Sequence, residues 1–140
     1  MIMFPWDDKY KTNHQTIDSE HRRLIDLMNE LAEAMVAAKG RFICESVLNE
    51  LVNYTKTHFA NEERLMTIHN YAMTSQHKAM HAFFIQKVGD FKVRFDSGDL
   101  AVTASMLYFL RDWLIQHIQE SDKALVAAIG AELTKGVRDI

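Results

Sequence analysis

Residues 43–66 read ICESVLNELVNYTKTHFANEERLM, and the spacing of their apolar side chains decides the fold. Val47, Leu48, Leu51, Val52, Thr55, Phe59 and Leu65 recur every three or four residues, the signature of one helical face turned inward. His58 and Glu62 fall on that same face. The spacing predicts a helix from about Ile43 to Met66 that carries two polar donors into a core.

The neighbouring segments repeat the pattern. Residues from Thr74 or Ser75 to about Phe95 predict a helix with His77, Met80, His81, Phe84, Val88, Phe91 and Phe95 inside, and Asp96-Ser97-Gly98-Asp99 reads as its break. Upstream, Asp18 or Ser19 is placed to cap a helix that runs to about Ala38 and stops at Lys39-Gly40. Its stripe is Leu24, Met28, Leu31 and Met35, extended one turn by His21. A fourth helix, from about Leu100 through His117, turns Leu107, Leu110, Trp113, Leu114, His117 and Ile118 inward. Short links between four such helices predict an all-α, antiparallel up-down four-helix bundle. Residues 1–17 read as an irregular arm, about 18–121 as the bundle, and about 122–140 as an extension with a short C-terminal helix, the whole of 1–140 forming one domain.

Composition excludes several function classes. The chain has 140 residues, 48% of them hydrophobic, and a net charge of −3 with no basic block, so a nucleic-acid surface is not expected. No apolar run is long enough to cross a membrane, and no leader is visible at the N-terminus. The single cysteine, Cys44, forms no internal disulfide, which fits a cytoplasmic protein. Seven histidines are present, and five of them lie on the inward stripes.

Those five, His21, His58, His77, His81 and His117, join Glu62 and Asp122 in one core. In a helix, residues four apart differ by about 40° and about 6 Å of rise, so His58/Glu62 and His77/His81 each point two donors at one place. His117 and Asp122 are five apart, roughly 140° in a regular helix. Both reach one site only if the helix unwinds or bulges, so an irregularity is expected near residues 118–122. A lone histidine on an apolar stripe is ordinarily a core residue. Five of them with buried carboxylates would leave nitrogens unpaired and charge uncompensated, and metal cations remove both problems. Seven nitrogen and oxygen donors exceed one tetrahedral zinc site and are too rich in imidazole for calcium or magnesium. Two carboxylate-bridged ions fit, with iron, copper, zinc and nickel all open on spacing alone.

The segment His58-Phe59-Ala60-Asn61-Glu62-Glu63-Arg64-Leu65-Met66 resembles the HFxxEExxM signature of the hemerythrin family, of the single-domain bacterial kind. Ile17-Asp18-Ser19-Glu20-His21, His77-x-x-x-His81, and Trp113-Leu114-Ile115-Gln116-His117-Ile118-x-x-x-Asp122 stand around it in the family's order, and Trp6 and Tyr10 match its arm. The likeness spans about residues 6–125. It implies a pair of iron ions as cofactor: one on His77, His81 and His117, the other on His21 and His58, bridged by Glu62, Asp122 and an oxo or hydroxo group. The iron with two histidines keeps a position where the resemblance places dioxygen, bound reversibly. Phe59, Trp113, Leu114, Ile118 and Leu24, with Met28, adjoin the ligands in helix geometry and are expected to wall that pocket.

His14 and His69 lie off the ligand pattern and read as surface or capping residues, and Glu63, about 100° from Glu62, faces solvent or backs a ligand. The family's usual Tyr-Pro after the signature is Tyr71-Ala72 here, which leaves the start of the third helix less sharply marked. The expected function is oxygen carriage, storage or delivery to an oxygen-using enzyme. Sensing of oxygen or nitric oxide, and peroxidase-like chemistry, are the alternatives. Oxygen-activating bundles use mostly glutamates with Glu-x-x-His pairs, and no such pair supplies these ligands.

Overall fold

The computed structural model describes residues 4–36, 41–98 and 102–138. After a 3-10 turn at Asp8–Tyr10, the chain runs through α1 (Gln15–Val36), α2 (Arg41–Ile68), α3 (Thr74–Asp96) and α4 (Val102–His117). A single π-helical turn, Ile118–Asp122, then joins α4 to α5 (Lys123–Arg138). Among the described residues there is no strand, and no helix is long and apolar enough to cross a membrane. α1 packs on α2 and α4, and α3 on α2 and α4, so the four helices close a ring as an up-down bundle does.

Burial of the four apolar stripes holds the ring together. Leu24, Leu27, Met28, Leu31, Leu48, Leu51, Phe84, Phe95, Met106 and Leu110 are within 1% of full burial. Each such side chain contributes about 1.5–3 kcal/mol through loss of water contact. A smaller cluster of Met66, Leu125 and Ile129 seats α5 against the end of α2.

Helix ends differ from expectation for local reasons. α1 begins at Gln15, ahead of Asp18, because His14 caps it: its Nδ1 accepts the Ile17 N–H at 3.3 Å. Asp18, inside the first turn, reaches back to accept from the Thr12 N–H, the Thr12 hydroxyl and the Asn13 N–H. α2 ends at Ile68, two residues late, and Asn70 takes the left-handed conformation (φ 48°) that closes many helices. His69 lies in that turn. α3 ends at Asp96, and Gly98 at φ 100° turns the chain away. The expected stop at Lys39-Gly40 and start at Leu100 lie outside the described residues. The C-terminal helix reaches Arg138, past the short piece expected, and continues from α4 through the π turn.

One inward assignment is corrected. Met80 is 43% exposed. The buried line of α3 is the narrow row His77, His81, Phe84, Val88 and Phe95, and Met80 sits about 100° from His81 on its outer edge. Phe91, Leu65 and Trp113 are half-buried at the rim.

Candidate metal centre

Each helix of the ring delivers part of one buried polar cluster. His21 comes from α1, His58 and Glu62 from α2, His77 and His81 from α3, His117 from the last turn of α4, and Asp122 from the end of the π turn. All seven are at most 4% exposed, and His21, Glu62 and Asp122 are fully buried. The π turn does what the five-residue spacing requires: its extra residue per turn rotates Asp122 onto the face of His117.

The donor atoms form two overlapping groups, each with its atoms within 4.8 Å of one another. One contains Glu62, His77, His81, His117 and Asp122, the other His21, His58, Glu62 and Asp122. Asp122 divides its oxygens between them. Its Oδ1 lies 3.1 Å from Nε2 of both His77 and His117, while Oδ2 lies 2.8 Å from His21 Nε2 and 3.7 Å from His58 Nε2. Glu62 Oε1 is 3.2 Å from His81 Nε2 and 3.4 Å from His58 Nε2, so it too faces both groups.

This arrangement fits cations better than hydrogen bonds. The Nε2 atoms of His81 and His77 each stand 3.1 Å from that of His117. A single N–H at His117 can serve one of those neighbours and leaves the other facing a lone pair. Both oxygens of Glu62 and Oδ1 of Asp122 are buried without a hydrogen bond, at a cost of about 1–3 kcal/mol each. The pKa shifts record the same frustration. Burial, then the Asp122 charge, pushes the Glu62 carboxyl well up. Burial also acts to raise Asp122, but its neighbours His117, His21, His58 and His77 outweigh that and hold it well below the carboxylate range. Burial, with His117 and His77 adding to it, drives His81 down to about 2. For His58, burial is overcome by the Glu62 charge and by Asp122 and Glu20, which raise it to about 10.

Two carboxylates back the ligands from outside. Glu63 Oε2 stands 3.3 Å from His81 Nδ1, which settles the two directions open to it in the sequence. Glu20 Oε1 stands 2.9 Å from His58 Nδ1, and its Oε2 accepts from Asn61 Nδ2 at 2.6 Å. Sequence reasoning did not single out Glu20. The only signal was a carboxylate directly before His21, and its partners lie 38 and 41 residues away. Burial would raise the Glu20 carboxyl, but the bonds to His58 and Asn61 outweigh it and lower its pKa.

The aromatic residues sit on one half. Phe59 stacks on His81 (centroids 3.8 Å apart, planes 4° apart), and Trp113 stacks on His117 (4.4 Å, 14°). Leu24, Leu114, Ile118 and Met28 are buried in the surrounding core. His81 and Phe59 also line a surface groove of about 700 Å³, and His117 and Trp113 line one of about 180 Å³. His21 and His58, at 0% and 1% exposed, lie deeper.

Residues 12–129 match the model of the hemerythrin HHE cation-binding domain. The chain belongs to the hemerythrin family. It is 36% identical over 139 residues to the bacteriohemerythrin of Pseudomonas aeruginosa (strain LESB58), covering 99% of this chain and 90% of that protein. Against the bacteriohemerythrin of Methylococcus capsulatus (strain Bath) the identity is 31%, over 88% and 94% of the two chains. A crystal structure of wild-type hemerythrin superposes with a TM-score of 0.83 at 29% identity, covering 90% of this chain and 97% of that one. Hemerythrins are oxygen-binding proteins with a di-iron centre, and this chain shares that function and cofactor.

Proposed function

We propose that the chain binds dioxygen reversibly for carriage, storage or delivery to an oxygen-using enzyme, rather than turning it over. The observation that carries this reading is the division of Asp122, one oxygen toward His77 and His117, the other toward His21 and His58. On it rests the ligand assignment: His77, His81 and His117 would hold one iron, His21 and His58 the other, and Glu62 and Asp122 would serve both. When bound, the ferrous pair supplies the two electrons that oxygen takes up and returns.

The protein's own residues make that exchange reversible by keeping water and acid away. Leu24, Leu114 and Ile118, each at most 1% exposed, wall the two-histidine half in this reading. Phe59 and Trp113, expected in that same wall, stack on His81 and His117 and so cover the three-histidine half. Thr55, one turn before Phe59, is fully buried but spends its hydroxyl on the Leu51 carbonyl. His58 Nδ1 faces the Glu20 carboxylate, which holds its proton. A pocket so lined has few groups to protonate and release reduced oxygen, which favours carriage over peroxidase-like chemistry. Residues 1–140 act in this reading as one domain, and the unpaired thiol of Cys44 suits a cytoplasmic setting.

The test is optical. A reduced, iron-loaded sample given oxygen without other additions should develop a charge-transfer band in the visible and lose it under vacuum over repeated cycles. Immediate, irreversible oxidation would count for a sensor or an enzyme instead.

A further inference from the structure

We propose that Glu20 is a positioning residue that makes the two halves of the centre electronically unequal, directing electron density through His58 toward the iron that takes oxygen. The inference rests on the di-iron reading above and adds to it the source of the asymmetry.

Glu20 lies on α1 immediately before His21, about 100° around the helix, so it meets α2 at the outer side of the two-histidine half. The residue is 8% exposed. Its carboxylate is gripped at two points of α2: by His58 Nδ1 at 2.9 Å and by Asn61 Nδ2 at 2.6 Å, one turn further along. Held this way, Nδ1 of His58 is the donor, which leaves Nε2, on the side of Glu62 and Asp122, as the atom that would bind a metal. An anionic acceptor on the outer nitrogen raises the basicity of the inner one. The effect is greatest when the bond is short, charge-assisted and away from water.

The matching contact on the other half is weaker in every respect. Glu63 is 31% exposed, its bond to His81 Nδ1 is 3.3 Å, and Lys78 Nζ stands 4.0 Å from its second oxygen. Solvent and the lysine dilute its charge before the imidazole feels it. His21, the other ligand of the oxygen half, has no partner at all on Nδ1. The hold of Glu20 on His58 is therefore the strong outer carboxylate of the centre, and it acts where electrons pass to oxygen.

Neutralising it without changing its shape isolates the charge. Glu20→Gln, Glu63→Gln and Asn61→Leu are loaded with iron, and iron per chain, oxygen affinity and the reduction potential of the pair are measured beside wild type. The expected result for Glu20→Gln is about tenfold weaker oxygen binding. That corresponds to a potential about 30 mV higher for a two-electron couple. Asn61→Leu, which loosens the grip but keeps the charge, shifts both in the same direction by less. Glu63→Gln changes affinity less than twofold, and Glu20→Asp recovers part of the loss. Equal shifts for Glu20→Gln and Glu63→Gln, or none for Glu20→Gln and Asn61→Leu with two irons retained, would overturn the proposal alone. Absence of an iron pair from the wild type would overturn the di-iron reading with it.

Discussion

Stripping the iron from this protein leaves three buried carboxylate oxygens, both of Glu62 and Oδ1 of Asp122, with no hydrogen bond. At about 1–3 kcal/mol for each unsatisfied buried group, the metal-free fold carries about 3–9 kcal/mol of uncompensated desolvation. That is comparable with the whole stability of an ordinary domain, about 5–15 kcal/mol. In a chain of 140 residues each kcal/mol moves the melting temperature by about 2–4 °C. The metal-free protein should therefore melt at least about 6 °C below the iron-loaded one. The low end applies because Glu62, its pKa pushed up, sheds part of the cost by taking a proton. Scanning calorimetry of the loaded protein and of protein treated with chelator under reducing conditions measures the gap. Melting temperatures within 2 °C of each other would refute the argument that these oxygens are built for cations.

Further outcomes follow from the same geometry. In the metal-free protein His58 is raised to about 10, so its contribution to stability is full below about pH 6.5 and is lost as pH rises toward 10. Urea unfolding at pH 7 and pH 9 should show the later pH weaker by about 1–3 kcal/mol, and equal midpoints would contradict the His58 assignment. Asp122→Asn removes the charge shared by both halves and should leave fewer than one iron per chain by elemental analysis. Two irons retained would sink the bridging role. Leu24→Ala, at a fully buried position, should cost about 2–5 kcal/mol and speed irreversible oxidation of the oxygenated protein by admitting water. An unchanged oxidation rate would remove Leu24 from the pocket wall.

Much of the fold and nearly all of the cluster were legible in the sequence because periodicity is a local signal. The stripes of α1 to α4 each repeat within a few turns, and His58/Glu62 and His77/His81 are read from one helix at a time. Even the π turn was visible, since His117 and Asp122 at a spacing of five cannot share a face otherwise. What stayed hidden depends on contacts between helices or on competition for hydrogen bonds. Asp18 looks like a helix cap in isolation, yet the arm residues Thr12 and Asn13 claim it and His14 caps instead. Met80 fits a broad apolar stripe, but the tight ring of four helices buries only a narrow one. Glu20 carries no periodic signal of its own, and its partners His58 and Asn61 come into reach only when α2 is laid against α1. The stacking of Phe59 on His81 likewise needed α3 laid against α2, whereas Trp113 and His117 meet within one turn of α4.

The ligand assignment puts two irons in the ring, one among His77, His81 and His117, the other between His21 and His58. Anomalous diffraction at the iron edge from crystals of the loaded protein tests it directly. Two peaks of similar height are expected, both within bonding distance of Glu62 and Asp122, one ringed by three imidazoles and one by two. A single peak, or a second peak away from His21 and His58, would contradict it.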